Sequence, residues 1–468
     1  ASRWIVGDSS FNVCLAGAAV TMTSGTTSCV IAHKFCGDGS CLTNISAGFS
    51  PDSQENLFAG TEAGASSDSD TLFNVGIGFS ALSSANSGDD NIAIGSSTGQ
   101  LLTSGSRNIV LGKRTMDCAA VTGNNNVALG SYSQRCITSG SGNIALGAYT
   151  LQCCLSTGLH NIAIGQLAGR KLQNNCNIAI GFHALLGGSS GGIGNCNIAI
   201  GNYAGKGLVN GHANIMLGAL AGRHISGSGS SDGSYNVAMG KSSLGANSSG
   251  SDTSGNRNVT IGQYSGNKIS SGNANALFGP LAGCSISTGG RNVSLGSAAG
   301  RCVTTGHRNV SIGAYVSPPS ATGSDQLAIG TCTSRWIVGN SDFNVGIGST
   351  TNPTSRLTVT GDVNISGVAT ATDFDSTSDI RLKTNIKPID DPVSKVIQIE
   401  GVSFNWKKDD RPALGVIADQ VEKILPQLVH GDDPKTVNYN GLVGLLIEVV
   451  KDQQKQIDTL SERISKLE

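Results

Sequence analysis

Ser378 and Lys383 are a serine and a lysine close enough in the chain to support nucleophilic catalysis. A serine hydroxyl is a weak nucleophile and needs a base, and a lysine amine can be that base only in its neutral form. Burial or a neighbouring cation favours the neutral amine, and Arg381, Leu382 and Ile386 lie near enough in the sequence to supply these effects. On spacing alone, however, an exposed pair of turn residues is the more common arrangement.

The rest of the chain offers few groups for chemistry. The seven histidines are scattered and do not form a metal-binding set. Acid pairs such as Asp89 and Asp90 stand in loop-like sequence, where solvation is more common than catalysis, and no carboxylate pair indicates a glycosidase. We therefore expect neither a metal ion nor a cofactor.

The composition excludes several classes of protein. The chain has 468 residues, with 65 glycines, 4% aromatic residues, 13% charged residues and a formal net charge of −1. A compact enzyme usually has more aromatic residues, and a nucleic-acid-binding protein is usually basic. No apolar run is long enough to predict a membrane span. The chain begins at Ala1, within a repeating pattern, and we expect it to be a piece of a longer polypeptide or to have a processed start.

A repeat occupies most of the chain. Any functional residue in that region therefore takes its place from the structure of the repeat. Its unit is Asn, an aliphatic residue, a small residue, an aliphatic residue and Gly, with a period of about 17 residues. We count positions from this Asn as position 0. The copies begin at Asn74, Asn91, Asn108, Asn126, Asn143, Asn161, Asn177, Asn197, Asn214, Asn236, Asn258, Asn275, Asn292, Asn309, Gln326 and Asn344, with looser copies at Asn12, Asn44 and Asn56.

The repeat predicts a mostly β chain that winds as a β-solenoid or β-roll. Alternation in a strand places positions +1 and +3 on the same face, which we expect to be buried. The Gly at +4 permits a corner, a small residue at +7 points inward, and an aliphatic residue near +11 indicates a second short strand. The asparagines of stacked coils can form a ladder. So thin a coil buries little alone, which favours association of several chains.

The composition changes sharply near residue 370, where glycine becomes rare and charge becomes dense. We therefore expect a repeat region over residues 1–348, a β-neck or hairpin over 349–375, and a small charged α+β domain over 376–468. The segment Ser334–Val345 repeats Ser2–Val13 almost unchanged, as a boundary cassette in which Trp4 and Trp336 are expected to plug the ends.

The C-terminal residues, about 441–468, have apolar residues at alternating spacings of three and four. This pattern is typical of a coiled-coil helix, although an amphipathic helix packed on its own domain is the alternative, at least for its first half. The seam consists of Val443, Leu446, Val450, Gln453, Ile457, Leu460, Ile464 and Leu467.

Two rows of side chains recur at fixed positions of the repeat. A tyrosine row at +6 is expected to point outward, where it either stacks on sugar rings of a receptor or, as we favour, lines an interface between chains. Cysteines of neighbouring coils could be buried thiols or form disulfides. The tyrosines are Tyr132, Tyr149, Tyr203, Tyr264 and Tyr315, and the cysteine pairs are Cys176 with Cys196 and Cys284 with Cys302.

Both parts of the chain resemble known families. The repeat resembles the β-roll head repeats of trimeric bacterial adhesins and of bacteriophage tail fibres, which are parallel homotrimers. The C-terminal segments STSDIRLKTNIK, GVSFNW, GVIADQVEKILPQLV and KTVNYNGLVGLLIEVV resemble the peptidase S74 intramolecular chaperone domain of phage endosialidases and tail fibres. Asp419 departs from this motif, because many members have Gln there.

The second resemblance implies a domain that drives trimerisation and then cuts itself off. It assigns Ser378 as the nucleophile and Lys383 as the base, with the scissile bond between Thr377 and Ser378. It also implies that Asp379, Arg381, Leu382, Asn385 and Ile386 support the motif. Such cleavage would act once, within the same chain, and we expect no activity on an external substrate.

The resemblances together imply a homotrimeric phage tail fibre or adhesion fibre. Its partners would be its own copies, a host cell-surface glycan or protein receptor, and an upstream baseplate or fibre protein, with no nucleic acid. It would be assembled in the host cytoplasm and displayed on the virion surface. The alternatives are a tailspike that depolymerises host polysaccharide and a cellular surface adhesin.

Overall fold

A computed structural model describes most of the chain and divides it into two compact units. The boundary between the units lies between Asn364 and Ile365. Trp4, and with it the first copy of the boundary cassette, lies outside the described residues. The described residues are 51–152, 157–187, 192–225, 233–245, 253–348, 352–365, 368–373 and 375–467.

The first unit is a β-solenoid, which confirms the mostly β fold predicted from the repeat. A 19-stranded sheet runs along it, and each strand pairs with the next strand of the chain. Strands β1 to β16 are parallel and in register, so equivalent repeat positions lie side by side. They are β1 (Leu57–Ala59), β2 (Val75–Ile77), β3 (Ile92–Ile94), β4 (Ile109–Leu111), β5 (Val127–Leu129), β6 (Ile144–Leu146), β7 (Ile162–Ile164), β8 (Ile178–Ile180), β9 (Ile198–Ile200), β10 (Ile215–Leu217), β11 (Val237–Met239), β12 (Val259–Ile261), β13 (Ala276–Phe278), β14 (Val293–Leu295), β15 (Val310–Ile312) and β16 (Leu327–Gly330).

The central residue of each strand, at position +2, points into the coil. Ala93 is fully buried, whereas Ile92 and Ile94 keep 37% and 39% of their surface exposed. The expectation that positions +1 and +3 form the buried face is therefore wrong for the single chain. The reason is volume, because larger side chains from the return segment, such as Leu82 and Ile137, already fill the thin interior.

The glycine at position +4 makes the corner after each strand. Gly262 has φ of +131°, and a Cβ placed there would lie 2.5 Å from the backbone of Gly279 in the next coil. The corner therefore needs glycine for two reasons: its backbone conformation is one that other residues rarely adopt, and successive coils approach closely there.

The predicted asparagine ladder runs along the interior from Asn56 to Asn309 and ends at Gln326. In each step the side-chain carbonyl accepts the backbone N–H of the next asparagine, as between Asn91 and Asn108 at 2.9 Å. The side-chain amide of Asn91 also donates to the carbonyl of Gly105 at 2.9 Å. The ladder therefore satisfies polar groups that would otherwise be buried without partners.

The return half of each coil confirms the other inward positions but not a second strand. The alanine at +7, for example Ala204, and the aliphatic residue at +11, for example Ile269, are buried. The described residues show only isolated bridges in this half, Leu102 with Val121 and Ile225 with Thr253. Repeated turns with left-handed residues replace the second strand.

The described end of the solenoid reverses the strand direction. β17 (Arg335–Gly339) is antiparallel to both β16 and β18 (Val345–Ile347), and β19 (Leu357–Val359) returns parallel to β18. Trp336 is 63% exposed, so its predicted role as a plug is wrong for the single chain. β19 pairs with β18 in parallel, and the neck or hairpin expected over residues 349–375 stays a prediction.

The second unit mixes short helices and strands. Its helices are α1 (Pro392–Ile397), α2 (Ala418–Ile424) and α3 (Tyr439–Ser465). Two antiparallel pairs accompany them, β20 (Val402–Asn405) with β21 (Pro412–Gly415) and β22 (Val429–His430) with β23 (Thr436–Val437). Val421, Leu425 and Leu445 form its small buried core.

Helix α3 uses two different faces. Leu445 and Val449 are buried against the unit itself, so its first half packs on its own domain as the alternative expected. The predicted seam lies on another face and is exposed, with Val450 at 62% and Ile457 at 54%. Among the described residues, no helix is both long and apolar enough to pass through a membrane.

Candidate functional site

A short 3-10 turn at Ile380–Leu382 brings the predicted nucleophile and base together. Asp379 caps the turn by accepting the backbone N–H of Arg381 at 2.8 Å, and Lys383 closes it by donating its backbone N–H to the carbonyl of Ile380 at 3.1 Å. The Lys383 amine then donates a hydrogen bond to the Ser378 hydroxyl, with Nζ and Oγ 2.5 Å apart. Removal of the serine proton would use the same two atoms in the opposite direction, with the Ser378 hydroxyl donating to a neutral Lys383 amine.

Arg381 does not act on the Lys383 amine as the sequence suggested. Its guanidinium forms an ion pair with Asp379, with Nη2 and Oδ2 2.7 Å apart. This hydrogen-bonded guanidinium lowers the pKa of Asp379, and the carboxylate raises the pKa of Arg381. The cation is therefore neutralised beside the pair rather than directed at the lysine.

The apolar setting expected from Leu382 and Ile386 is also missing in the single chain. Leu382 is 73% exposed and Ile386 is 63% exposed, and the lysine and serine themselves lie at the surface. The reason is local, because a three-residue turn at the edge of a small unit has no second layer of chain above it. Among the residues that the structure describes, the pair therefore stays open to water.

Two further residues hold the segment in place. Asn385, two residues after Lys383 closes the turn, adopts a left-handed conformation with φ of +53°, which asparagine tolerates better than most residues. Asn440, in the first turn of α3, donates its side-chain amide to the hydroxyl of Ser376 at 2.8 Å. The sequence analysis assigned Asn440 no role, although it lies within one of the segments that carry the family resemblance.

Asp419 takes part in an ion pair away from the Ser378–Lys383 pair. The Lys435 amine lies 2.7 Å from a carboxylate oxygen of Asp419 and 2.7 Å from one of Glu422. These hydrogen bonds raise the pKa of Lys435 and lower that of Asp419. The residue that departs from the family motif therefore serves to link α2 to the segment that follows it.

The tyrosine row at +6 lies in left-handed backbone, with φ between 57° and 60° at Tyr132, Tyr149, Tyr203, Tyr264 and Tyr315. The rings of Tyr132 and Tyr149 stack with their centres 5.0 Å apart. Tyr315 is 49% exposed. The row is therefore built into the stacked coils, and its role stays a prediction.

The four cysteines of the predicted disulfides are free thiols in the structure. Cys176, Cys196 and Cys302 are exposed and Cys284 is partly buried. The structure contains neither the Cys176–Cys196 nor the Cys284–Cys302 disulfide, and both pairings stay predictions. In the described part of the chain, no group of three or more histidine, cysteine or acidic side chains is placed to hold a metal ion.

Comparison with known proteins bears on both units. Residues 378–430 match the peptidase S74 family, described as the chaperone of endosialidase. This segment begins at the candidate nucleophile and contains the candidate base. No solved structure matches the chain.

The chain is similar to long tail fibre proteins named Gp37. It is 30% identical to that of Salmonella phage S16 over 149 residues, 28% of this chain and 20% of the relative. It is 32% identical to that of Enterobacteria phage K3 over 102 residues, 19% of this chain and 8% of the relative. It is 35% identical to that of Escherichia phage AR1 over 80 residues, 14% of this chain and 7% of the relative.

These matches span a fifth or less of the length of those relatives. They nevertheless confirm the resemblance to phage tail fibre proteins and to the chaperone-of-endosialidase domain. The solenoid in the first unit is the kind of elongated structure that a fibre requires.

Proposed function

We propose that this chain is part of a homotrimeric phage tail fibre whose C-terminal domain is an intramolecular trimerisation chaperone that cleaves itself. The solenoid serves as the shaft or receptor-binding region. Host binding acts through a surface glycan or protein, and the fibre is joined to an upstream virion protein. It is assembled in the host cytoplasm and displayed on the virion surface.

The main support for a trimer is the apolar outer face of the sheet. Positions +1 and +3 present an aliphatic side chain in nearly every coil, and in-register pairing aligns them in two columns. Ile109, Ile200 and Ile215 are 40%, 41% and 36% exposed. Covering such a side chain contributes about 0.5–1 kcal/mol, so a full column contributes on the order of 10 kcal/mol per chain.

Helix α3, at the C-terminal end of the chain, also supports association of several copies. Its seam residues repeat at heptad spacing, and its second half leaves them open in the single chain, since Leu460 and Ile464 are 54% and 58% exposed. A parallel coiled coil buries this seam in neighbouring copies. Gathering three helices first would place three solenoids side by side before their sheet faces meet.

Cleavage follows from the contact between Ser378 and Lys383. Neutral Lys383 takes the Ser378 Oγ proton as that oxygen attacks the carbonyl carbon of Thr377. The carbon–nitrogen bond breaks, the Ser378 nitrogen accepts the proton, and an ester links Thr377 to Oγ. Water then hydrolyses the ester, leaving a carboxylate on Thr377 and a free amine on Ser378. One water is consumed in each event.

Assembly would supply what the single chain lacks at this pair. Ile380, Leu382 and Ile386 lie close to it in the sequence and are 71%, 73% and 63% exposed. Covering these side chains by a neighbouring copy would exclude water and favour the neutral lysine that the reaction needs. Cleavage would then follow trimerisation rather than precede it.

Intact-mass measurement of the assembled full chain tests the proposal. The wild type should yield fragments 1–377 and 378–468, whereas Ser378→Ala and Lys383→Arg should remain full length. Lys383→Arg retains a charge but cannot act as a base, because arginine stays protonated. The matched control Lys387→Arg, at an exposed lysine of the same segment, should be cut like the wild type.

Native mass measurement of the same samples tests assembly separately. We expect a trimer of solenoid fragments in the wild type and a trimer of full-length chains in Ser378→Ala. A monomer in both samples would overturn the trimer. A trimer of uncut wild-type chains would overturn cleavage while leaving the fibre intact.

A further inference from the structure

The charges of the solenoid are unevenly distributed along the chain. Residues 118–231 contain no aspartate or glutamate, but they contain Arg135, Arg170, Lys171, Lys206 and Arg223. The formal net charge of the whole chain is −1, so this excess of cations is local. A local excess of one sign on a stacked structure creates a surface that attracts the opposite charge.

Four successive coils bring part of these cations together with aromatic side chains. Arg170, Lys206 and Arg223 each occupy position +9 of the coils that begin at Asn161, Asn197 and Asn214. Phe182, His183 and Tyr203 occupy positions +5 and +6 of the coils between and beside them. We call these six side chains the return-face patch.

The aromatic side chains of the patch touch one another. The rings of Phe182 and Tyr203 have centres 5.4 Å apart and meet edge to face, and the His183 ring lies 5.0 Å from that of Tyr203. The Lys206 amine sits 4.6 Å from the centre of the Tyr203 ring. Phe182 is 37% exposed. The patch therefore combines apolar ring surface with positive charge at a solvent-accessible site.

Arginines at two other places on the solenoid are paired with carboxylates, unlike the cations of this patch. Asp117 lies 2.6 Å from Arg114 and 2.9 Å from Arg135, and its carboxylate is almost fully buried. Arg308 pairs with Asp325 at 2.6 Å. In the part of the chain that the structure describes, Arg170, Lys206 and Arg223 form no such ion pair. The Nε of Arg223 also has no hydrogen-bond partner there.

The patch and the apolar sheet face point away from opposite sides of the core. Ala199 in strand β9 and Ala204 in the return segment are both fully buried within the same cluster. The side chains at +1 and +3 therefore point outward on the strand side, and those at +6 and +9 point outward on the return side. Packing three return faces together would also oppose like charges, so the patch is suited to a ligand rather than to another copy.

We infer that the return-face patch binds an acidic polysaccharide, with Arg170, Lys206 and Arg223 contacting its anionic groups and the rings of Phe182 and Tyr203 contacting its sugar faces. The inference rests on the proposed function and names the class of receptor. The three cations span about 14 Å, or three strand spacings, along the fibre. The partner must therefore be a chain carrying repeated negative charges. Of the two roles considered for the tyrosine row, sugar binding and an interface between chains, this assigns sugar binding to Tyr203.

Binding of the assembled full chain to immobilised polygalacturonate, dextran sulfate and neutral dextran tests the inference. We expect binding to the carboxylated polymer, weaker binding at high salt and none to neutral dextran. The triple variant Arg170→Gln, Lys206→Gln and Arg223→Gln should bind about tenfold more weakly, equivalent to about 1.4 kcal/mol. Binding to dextran sulfate alone would support an acidic polysaccharide that carries sulfates, whereas binding to neither charged polymer would overturn the inference.

A second triple variant is the matched control, because it removes the same charge elsewhere on the solenoid. Lys241→Gln, Lys268→Gln and Arg291→Gln together should leave binding within about twofold of wild type. Equal losses in both triple variants, or equally tight binding to single-stranded DNA, would reduce the interaction to non-specific attraction and overturn the inference.

The aromatic contribution is tested with Tyr203→Asn, since asparagine tolerates the left-handed backbone at this position. We expect weaker binding with unchanged trimer mass. If wild type and patch variants all form trimers, cleave normally and bind the polymers equally well, this inference is overturned and the proposed function is not. Loss of the trimer itself would instead contradict the proposed function.

Discussion

The side-chain carbonyl of Asn197 accepts hydrogen bonds from both the backbone N–H and the side-chain amide of Asn214, each at 3.0 Å. The Asn197 amide in turn donates to the carbonyl of Gly211 at 2.8 Å. One buried side chain thus joins two coils through three contacts. Repetition of this arrangement makes the ladder a continuous polar spine inside an otherwise apolar coil.

Replacing Asn197 with alanine should destabilise the solenoid strongly. The change would leave buried groups of Asn214 and Gly211 without partners, at a cost of about 3 kcal/mol. Thermal unfolding of the assembled protein measures the effect. The control Asn202→Ala, at an exposed asparagine of the same coil, should lie within about 0.5 kcal/mol of wild type. Equal losses at the two positions would argue against the ladder.

Replacing Gly262 with alanine should disrupt the stack of coils. Gly262 and Gly361 share nearly the same φ, +131° and +127°, but a Cβ at Gly361 meets nothing within 4 Å. Gly361→Ala therefore carries only the backbone strain, about 1–3 kcal/mol, whereas Gly262→Ala adds a clash with the backbone of Gly279. Comparing the two melting temperatures isolates the clash, and identical temperatures would show that close stacking is unimportant.

Charges placed on the outer face of the sheet should prevent assembly without unfolding a coil. Ile200→Lys with Ile215→Lys would bury lysines against a neighbouring copy, which is costly when no partner charge is present. Native mass measurement should show monomers. Gln166→Lys with Asn202→Lys adds the same charge at exposed positions of the return side and should leave trimers. Trimers in both variants would place the interface elsewhere.

The stability of the solenoid should decrease as the pH falls below the normal range of histidine. Burial, followed by the charges of Lys206 and Arg170, lowers the pKa of His183 below 6.5. The unfolded chain therefore takes up this proton first, and stability falls with pH from about 6.5 down to the lowered pKa. Melting temperatures between about pH 8 and about pH 5 should show a smaller decrease in His183→Asn than in wild type.

The matched control is His430→Asn in the second unit, which should retain the wild-type decrease. Lys206→Gln should raise the pKa of His183 and reduce the decrease, because it removes one repelling charge. An unchanged pH profile in His183→Asn would assign the dependence to other groups.

Local rules in the sequence were enough to predict the solenoid. A regular Asn, aliphatic pair and Gly unit indicates in-register stacking, because each coil must bury the same side chains and turn the same corner. The pairing of Ser378 with Lys383 was expected from the family resemblance, because their spacing alone favoured an exposed pair of turn residues. The heptad spacing of α3 indicated its seam, and the coiled coil itself stays a prediction. Alternation alone, however, could not decide which of its two faces points inward.

Tertiary structure decided the features that depend on volume and on distant residues. The interior of the coil takes mostly small residues at +2, because side chains such as Leu82 and Ile137 also reach it from the return segment. Arg381 pairs with Asp379 rather than acting on Lys383, because the cap of a short turn brings that carboxylate closest. Arg170, Tyr203 and Arg223 share one surface because stacking turns a separation of many residues into a few strand spacings.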